Sequence, residues 1–240
     1  VGGSLEQRNR VNSIVINGTG DGNSILGNYI GCDLAGEISA GSAQSGVGIR
    51  NGATNTVISG NLISGSGFAG IEVSDSTTQN ITISGNWIGT NSAGTGPLGN
   101  AASGVRVYND VAGLIISDNI ISGNNGEAGI FAFDISDVII SGNYIGCAPD
   151  ASAIGNLADG IWLTGTSFDN IIGGPNGGNT IANNGGPGIS LLVLTGNGNS
   201  ILGNSIFNNV NQGIGNLTHV SVSTPNLNSA IINLAVDSVT

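Results

Sequence analysis

The side chains that could perform acid–base chemistry are few in this chain. Its only histidine is His219, lysine is absent, and a proton-abstracting base would have to be Arg50 or Arg106. General acid–base catalysis needs a side chain of suitable pKa near the substrate, and enzymes that cleave glycosidic bonds use paired carboxylates. The sequence pattern brings no such pair together, and the two arginines occupy different registers. We therefore expect no catalytic residue and no enzymatic activity.

One set of oxygen-bearing side chains could bind a cation. Asn51, Asp75, Asn109 and Asp134 recur at one position of successive repeats, and Asp134 with Asp137 is the best metal candidate. Calcium needs six to eight converging oxygens, and the alternation of Asp with Asn halves the available charge. Asn and Asp also form the turns that end strands. We favour this structural role, so calcium is compatible with the sequence but not indicated, and no cofactor is expected.

An aromatic column could stack against sugar rings. Tyr29, Trp87 and Tyr144 each directly follow a recurring asparagine, at a position that should face outward from a strand. A row of exposed aromatic rings can bind a carbohydrate or a partner protein. These rings occur only in repeats that carry a long insertion, so the alternative is that each insertion folds over its own ring.

Seven asparagines mark the repeat that would position these side chains. The pattern Asn-X-Ile recurs at alternating short and long intervals, which is typical of a solenoid. A buried asparagine in every coil can form a hydrogen bond with its copy in the next coil. The expected column consists of Asn28, Asn61, Asn86, Asn119, Asn143, Asn179 and Asn204.

Each coil should contain short parallel strands. Runs such as Ile71-Glu72-Val73 and Val105-Arg106-Val107 alternate two aliphatic residues with one variable residue, which is the period of a half-buried strand. Stacked coils pair such strands in parallel. Segments 32–45, 90–103 and 147–159 are poor in strand formers and should be loops on one edge of alternate coils.

Composition excludes several classes of partner. The 240 residues carry a formal charge of −11, and arginine supplies all four cationic side chains. Such a chain is repelled by nucleic acid and by anionic membrane surfaces. It has no apolar run long enough to span a bilayer, so we expect no membrane insertion. The unbroken period indicates one β-helical domain.

The two cysteines occupy the same place in two copies of one motif, Gly-Asn-Tyr-Ile-Gly-Cys, which ends at Cys32 and at Cys147. Four coil steps of about 4.8 Å would separate them by roughly 19 Å. A disulfide needs a much shorter distance between Cα atoms. They should not pair within the chain, which leaves a shielded free thiol or a bridge between subunits.

The runs GNYIGCDLAG, GNWIGTNSAGTGPLGN and GNYIGCAPDASAIGN, with NIIGG and NTIANNGGPGI, carry a family resemblance. They resemble the repeats of right-handed parallel β-helix proteins secreted by bacteria and archaea. The resemblance implies an all-β, single-domain right-handed parallel β-helix of about seven to eight coils, with long loops on alternate coils. It would span residues 1–216, followed by a C-terminal segment, 217–240, that caps the last coil or is donated to another subunit.

The resemblance leaves function open. The wider superfamily includes pectate lyases, polygalacturonases, uronan epimerases and phage tailspikes, whereas this repeat type mostly belongs to surface proteins without established activity. We expect a non-catalytic, extracellular or cell-surface structural or adhesive protein, part of a filamentous assembly that self-associates through residues 217–240. Because the chain lacks methionine, Val1 is not a translated start, and we expect processing from a longer precursor.

Two alternatives remain, a polysaccharide-binding or polysaccharide-processing β-helix of the lyase or hydrolase type, and a phage fibre module. A charged cluster that spans several coils would favour the polysaccharide alternative. No such cluster is recognised in the sequence.

Overall fold

A computed structural model describes residues 9–174, 177–192 and 196–215 of the chain. Within these ranges the protein consists of short strands joined by turns and loops, and no helix is long and apolar enough to cross a membrane. In chain order the strands are β1 (Arg10–Val11), β2 (Ile14–Asn17), β3 (Ser24–Leu26), β4 (Tyr29–Ile30), β5 (Val47–Arg50), β6 (Val57–Ser59), β7 (Leu62–Ile63), β8 (Ile71–Ser74), β9 (Thr82–Ser84), β10 (Trp87–Ile88), β11 (Val105–Ala112), β12 (Ile115–Ser117), β13 (Ile120–Ile121), β14 (Ala128–Ser136), β15 (Ile139–Ser141), β16 (Tyr144–Ile145), β17 (Asp159–Thr164), β18 (Ile171–Gly173), β19 (Thr180–Ala182), β20 (Ile189–Leu192), β21 (Ser200–Leu202), β22 (Ser205–Phe207) and β23 (Ile214–Gly215).

The strands form three parallel sheets, and every third strand pairs with its copy in the next coil. The first sheet has the order β1-β4-β7-β10-β13-β16-β19-β22, and the second has the order β2-β5-β8-β11-β14-β17-β20-β23. The third sheet contains β3-β6-β9-β12-β15-β18-β21. This arrangement confirms the predicted single-domain right-handed parallel β-helix. The segment 217–240, with its predicted cap and its role in self-association, lies outside the described residues, as does the N-terminal Val1.

Aliphatic ladders fill the interior of the helix. In the third sheet, for example, Ile58 pairs with Ile83, and Ile83 pairs with Ile116, all three fully buried. Burial of one such side chain stabilises the fold by about 1.5–3 kcal/mol. The stacked coils therefore share one continuous core.

The seven corner asparagines lie in one column at the start of the first-sheet strands. The Nδ2 of each donates to the Oδ1 of its copy in the next coil over 2.8–3.2 Å. The backbone amide of each corner asparagine also donates to the same oxygen. The side chains of this first column thus join neighbouring coils, and those between the two ends are buried.

A second asparagine column follows the first-sheet strands, and sequence analysis did not identify it. Each Nδ2 again donates to the Oδ1 of the next asparagine, over 2.9–3.0 Å. In coils without a long loop this asparagine comes five residues after the corner asparagine, but in coils with a loop it comes 13 or 14 residues later. The second column consists of Asn100, Asn124, Asn156, Asn184 and Asn209.

The three predicted loops are present on alternate coils. Each begins with an isolated antiparallel bridge, Cys32 to Ser39, Thr90 to Pro97 or Cys147 to Ala153. Both cysteines are free and fully buried where these loops begin. Burial raises the pKa of both thiols to about 11.

Candidate functional site

The outer side of the second sheet carries a continuous group of aromatic and charged side chains over four coils. Strand register places Glu72 of β8 beside Arg106 of β11, Arg106 beside Phe131 of β14, and Phe131 beside Trp162 of β17. A second outward row, two residues further along, pairs Tyr108 with Phe133. We define the second-sheet face as Phe68, Glu72, Arg106, Tyr108, Glu127, Phe131, Phe133 and Trp162.

Arg106 lies at the centre of this face and is already engaged. Its Nη1 lies 3.0 Å from the Oε1 of Glu127. Its Cζ lies 4.6 Å from the ring centroid of Phe131 and 5.5 Å from those of Phe68 and Tyr108. A planar guanidinium is attracted to aromatic ring faces while it donates to a carboxylate. Arg106 therefore links three rings and one carboxylate into a single cluster.

Glu72 is held by two hydroxyl groups. The Oη of Tyr108 donates to its Oε1 over 2.5 Å, and the Oγ of Ser45 donates to its Oε2 over 2.6 Å. Burial raises the pKa of Tyr108, and the hydrogen bond to Glu72 raises it further. Tyr108 therefore keeps its proton at neutral pH and orients the Glu72 carboxylate.

Glu127 directly precedes β14 and is ionised at neutral pH. Its Oε2 accepts a hydrogen bond from the Oγ of Ser103 over 3.1 Å. Burial disfavours its carboxylate, but hydrogen bonds from its own backbone amide and from Ser103, together with Arg106, outweigh burial and lower its pKa. The Arg106–Glu127 pair is consequently formed between two charged groups.

The rings of the face are partly exposed, with Phe131 and Trp162 half-buried at its centre. Phe131 and Trp162 pack edge to face, with centroids 5.2 Å apart and an interplanar angle of 88°. Phe68 and Phe133 are 38% and 39% exposed. The buried Nε1 of Trp162 has no hydrogen-bond partner among the described residues. Aromatic side chains arranged in this way can bind the flat, apolar side of a ligand.

A polar cleft continues the face beyond Trp162. Ser190 of β20 pairs with Trp162, and the cleft of about 500 Å³ is lined by Ser190, Asp159, Pro187 and Gln212, among others. Burial raises the pKa of Asp159, and a hydrogen bond with Ser190 offsets part of this effect. The cleft thus places a carboxyl group with a raised pKa beside the strand that carries Trp162.

The predicted aromatic column lies on the outer side of the first sheet and is partly covered. Tyr29 is 5% exposed, whereas Tyr144 is half-buried and Trp87 is 36% exposed. Gly36 and Gly94, in the loops of the same coils, lie so close that an added Cβ would come within 3.2 Å of Tyr29 and 3.0 Å of Trp87. The loops therefore pack against at least two of the three rings, as the alternative interpretation of this column expected.

The acidic metal candidates lie within and directly after β14. Asp134 and Asp137 both adopt left-handed backbone conformations, and the Oδ1 of Asp134 accepts a hydrogen bond from the backbone amide of Thr166 over 2.6 Å. Short Asx side chains are well suited to such corners. Among the described residues, no group of three His, Cys, Asp or Glu side chains could hold a metal ion. Asp134 thus holds the neighbouring turn through the amide of Thr166, and a structural role for both residues stays a prediction.

The second-sheet face is the multi-coil charged cluster that sequence analysis did not recognise. Its central residues follow the glycine of each strand motif by two positions, so an alignment of the strands would have stacked them. Glu127 gives no such signal, because it precedes its strand. The aligned residues are Glu72, Arg106, Phe131 and Trp162, after Gly70, Gly104, Gly129 and Gly160.

Residues 97–232, more than half of the chain, match the sequence profile of NosD, described as a periplasmic copper-binding protein. The chain belongs to the NosD family. No curated protein sequence matches it significantly.

Solved structures with the same fold include the periplasmic alginate epimerase AlgG. A single mutant and a double mutant of AlgG match with TM-scores of 0.51 and 0.50 at 19% identity, over 76% of this chain and 34% of theirs. The A-module of the mannuronan C-5 epimerase AlgE4 from Azotobacter vinelandii matches with a TM-score of 0.41 at 15% identity, over 87% of this chain and 58% of that module. This member of the NosD family thus spans about a third of the AlgG structures, and the likeness is one of fold.

The expectation that the chain is not an enzyme is corrected by these structures. AlgG is an epimerase, and its β-helix is the one that this chain shares. The fold of this chain is therefore one on which enzymes are built.

The described residues do not fit a copper site, although the family description refers to copper. Proteins bind copper through thiolate, thioether and imidazole groups. The chain has no methionine, and its one histidine, His219, lies outside the described residues. Cys32 and Cys147 are buried four coils apart, and their raised pKa values keep both thiols protonated at neutral pH. The described part of the chain therefore offers no side chains that fit a copper ion.

Proposed function

We propose that this member of the NosD family binds and processes an extended polysaccharide on its second-sheet face. The observation that carries this proposal is the unbroken series Arg106, Phe131 and Trp162 in three successive coils, which continues into a polar cleft. Aromatic rings bind the apolar side of a sugar, and hydroxyl and amide groups in an adjoining cleft can bind its hydroxyl groups.

Groups suited to proton transfer adjoin the rings. The pKa of Glu127 is lowered, whereas the pKa of Asp159, which begins the next second-sheet strand, is raised by burial. Carboxyl groups whose pKa values are moved apart can act as base and acid in one reaction. The backbone amide of Asp159 approaches the carbonyl oxygen of Glu127, so the two residues lie in contact between neighbouring coils. Two carboxyl groups with opposite pKa shifts on neighbouring coils support processing in addition to binding.

The comparisons support this proposal more than the structural or adhesive role expected from the repeats. NosD and AlgG are both described as periplasmic, which supports a location outside the cytoplasm. A filamentous assembly and processing from a longer precursor stay predictions.

Affinity electrophoresis through gels that contain defined polysaccharides tests binding. Trp162→Ala should lose at least about tenfold in affinity for any polysaccharide that retards the wild type, since it removes the largest ring of the face. Trp87→Ala is the matched control, because Trp87 is an exposed outward tryptophan on the first sheet. Failure of every polysaccharide to retard the wild type, or equal losses in both variants, would refute the proposal.

Product analysis tests processing. A retarding polysaccharide is incubated with the protein and assayed for reducing ends, for unsaturated ends and, by NMR, for inverted sugar carbons. We expect one of these changes, and its loss in Asp159→Asn. Binding without any change would limit the proposal to recognition.

A further inference from the structure

We infer that the second-sheet face selects a neutral polysaccharide over a polyuronate. Its central cation, Arg106, is already paired with Glu127 of the same chain. This inference rests on the proposed function and specifies its substrate class. It also differs from the alginate named for the structures that share the fold.

The first argument is the engagement of Arg106. Recognition of a carboxylate uses the planar fork of arginine donors. Here Nη1 of Arg106 is bound to Glu127, and the guanidinium packs against Phe131, Phe68 and Tyr108. A uronate that approached the remaining donors of Arg106 would lie beside the Glu127 carboxylate, which repels it. The pair therefore positions the rings and does not offer a free cation.

The second argument is the charge around the rings. Glu72 and Glu127 lie on either side of Arg106, Asp159 lines the cleft, and the whole chain has a formal charge of −11. A polyuronate carries one negative charge on every sugar, so its approach to this surface is electrostatically unfavourable. A neutral chain meets no such repulsion.

The other outward arginine of the sheet does not change this conclusion. Arg50 is exposed at the end of β5, one coil beyond Glu72 and away from the aromatic rings. It adjoins the corner where the backbone amide of Asn51 donates to the Asp75 carboxylate. Its position outside the second-sheet face makes it a useful control.

The third argument is the chemistry that remains available to a ligand. The partly exposed rings offer apolar contact, and the cleft offers the exposed amides of Asn211 and Gln212. These groups can bind the C–H surface and the hydroxyl groups of a neutral sugar without desolvating an unpaired charge.

Matched oligosaccharides test the inference with the full chain. Isothermal titration compares three pairs of hexasaccharides: mannan and mannuronan, glucan and glucuronan, and galactan and galacturonan. Both members of a pair have the same linkage and differ only by oxidation of C6 in every sugar. In every pair that binds, the neutral member should bind at least about tenfold more tightly. Tighter binding of a uronate overturns this inference but leaves the proposed function intact. Absence of binding to all six overturns both.

Charge variants then test the cause. Glu127→Gln frees Arg106 and should raise affinity for the uronate of the best pair by about tenfold relative to the affinity for its neutral partner. Arg50→Gln should change neither affinity. Thermal unfolding is measured for each variant to confirm the fold. If Glu127→Gln leaves uronate affinity unchanged while folded, or if Arg106→Gln selectively weakens the uronate, the inference is wrong.

Discussion

The two outer faces that carry aromatic rings differ in what surrounds each ring. On the first sheet, Tyr29, Trp87 and Tyr144 occur in alternate coils, with Leu62 and Ile120 between them. On the second sheet, Phe131 and Trp162 follow Arg106 without a break. Outward position in a strand is therefore not sufficient to make a binding surface, since neighbouring coils must supply compatible side chains.

The segments that follow the strands explain the contrast. First-sheet strands of two residues lead directly into the long loops, whose Gly36 and Gly94 approach Tyr29 and Trp87. Second-sheet strands reach eight and nine residues in β11 and β14, which contain left-handed corners at Asn109 and Asp134. The first arrangement gives Tyr29 a small local core, and the second leaves a row of side chains toward solvent.

The largest effect is expected on the first sheet. Tyr29→Ala should lower the free energy of unfolding by about 3–4 kcal/mol, because it empties a buried site packed against Leu62 and Leu98. Denaturant unfolding measures this change, and the titrations should show unchanged oligosaccharide affinity in the folded variant. A large loss of affinity would mean that the two faces are not independent.

The next effect concerns the second-sheet face. The double variant Phe131→Ala, Trp162→Ala should lower affinity for the best neutral oligosaccharide by at least about a hundredfold, or roughly 2.7 kcal/mol. Isothermal titration gives the affinity, and Trp87→Ala serves as the control. An affinity within threefold of the wild type would remove the rings from the binding site.

The first asparagine column stabilises the coils that carry both faces, and its hydrogen bonds are buried. Asn119→Leu should destabilise the protein by about 1–3 kcal/mol, because the Oδ1 of Asn119 accepts from Asn86 and its Nδ2 donates to Asn143. Asn109→Ser, at an exposed corner, is the comparison. Equal unfolding midpoints for the two variants would show that the column contributes little.

The smallest expected effect is a difference in the pH dependence of stability between variants of the two faces. The lowered pKa of Glu127 means that its contribution to stability is present above the unfolded-state pKa and is lost as pH falls through the folded-state pKa. Denaturant unfolding between about pH 7 and pH 3 should therefore show a smaller decline in Glu127→Gln than in the wild type. Tyr29→Ala should keep the wild-type pH dependence. Identical curves for Glu127→Gln and the wild type would contradict the assigned pKa shift.

The fold could be predicted from the sequence because each coil repeats the same local requirements. Inward isoleucines and corner asparagines recur in the successive coils of this chain. Their spacing in the sequence therefore predicts which residues pair between coils. The second asparagine column escaped this reasoning because loops of variable length separate Asn100 and Asn156 from their corner asparagines. The asparagines of this column are adjacent in the structure, although their distance in sequence from the corner asparagines varies.

The site was harder to predict because it depends on contacts between different types of residue. Arg106 and Glu72 share a register that the strand motif indicates, but their role emerges only when the coils are stacked. Phe68 and Glu127 come from the segments before their strands and reach Arg106 by side-chain contact. No periodic pattern records such contacts.

The direction of the hydrogen bonds has a mechanical consequence. Main-chain bonds between coils and the bonds of both asparagine columns run along the helix axis. Tension applied to the two ends would therefore act on the coil boundaries in series, and the weakest boundary would open first, whereas a sideways force would be shared by many coils. A bound polysaccharide that contacts several coils of the second-sheet face would stabilise the boundaries between those coils against opening.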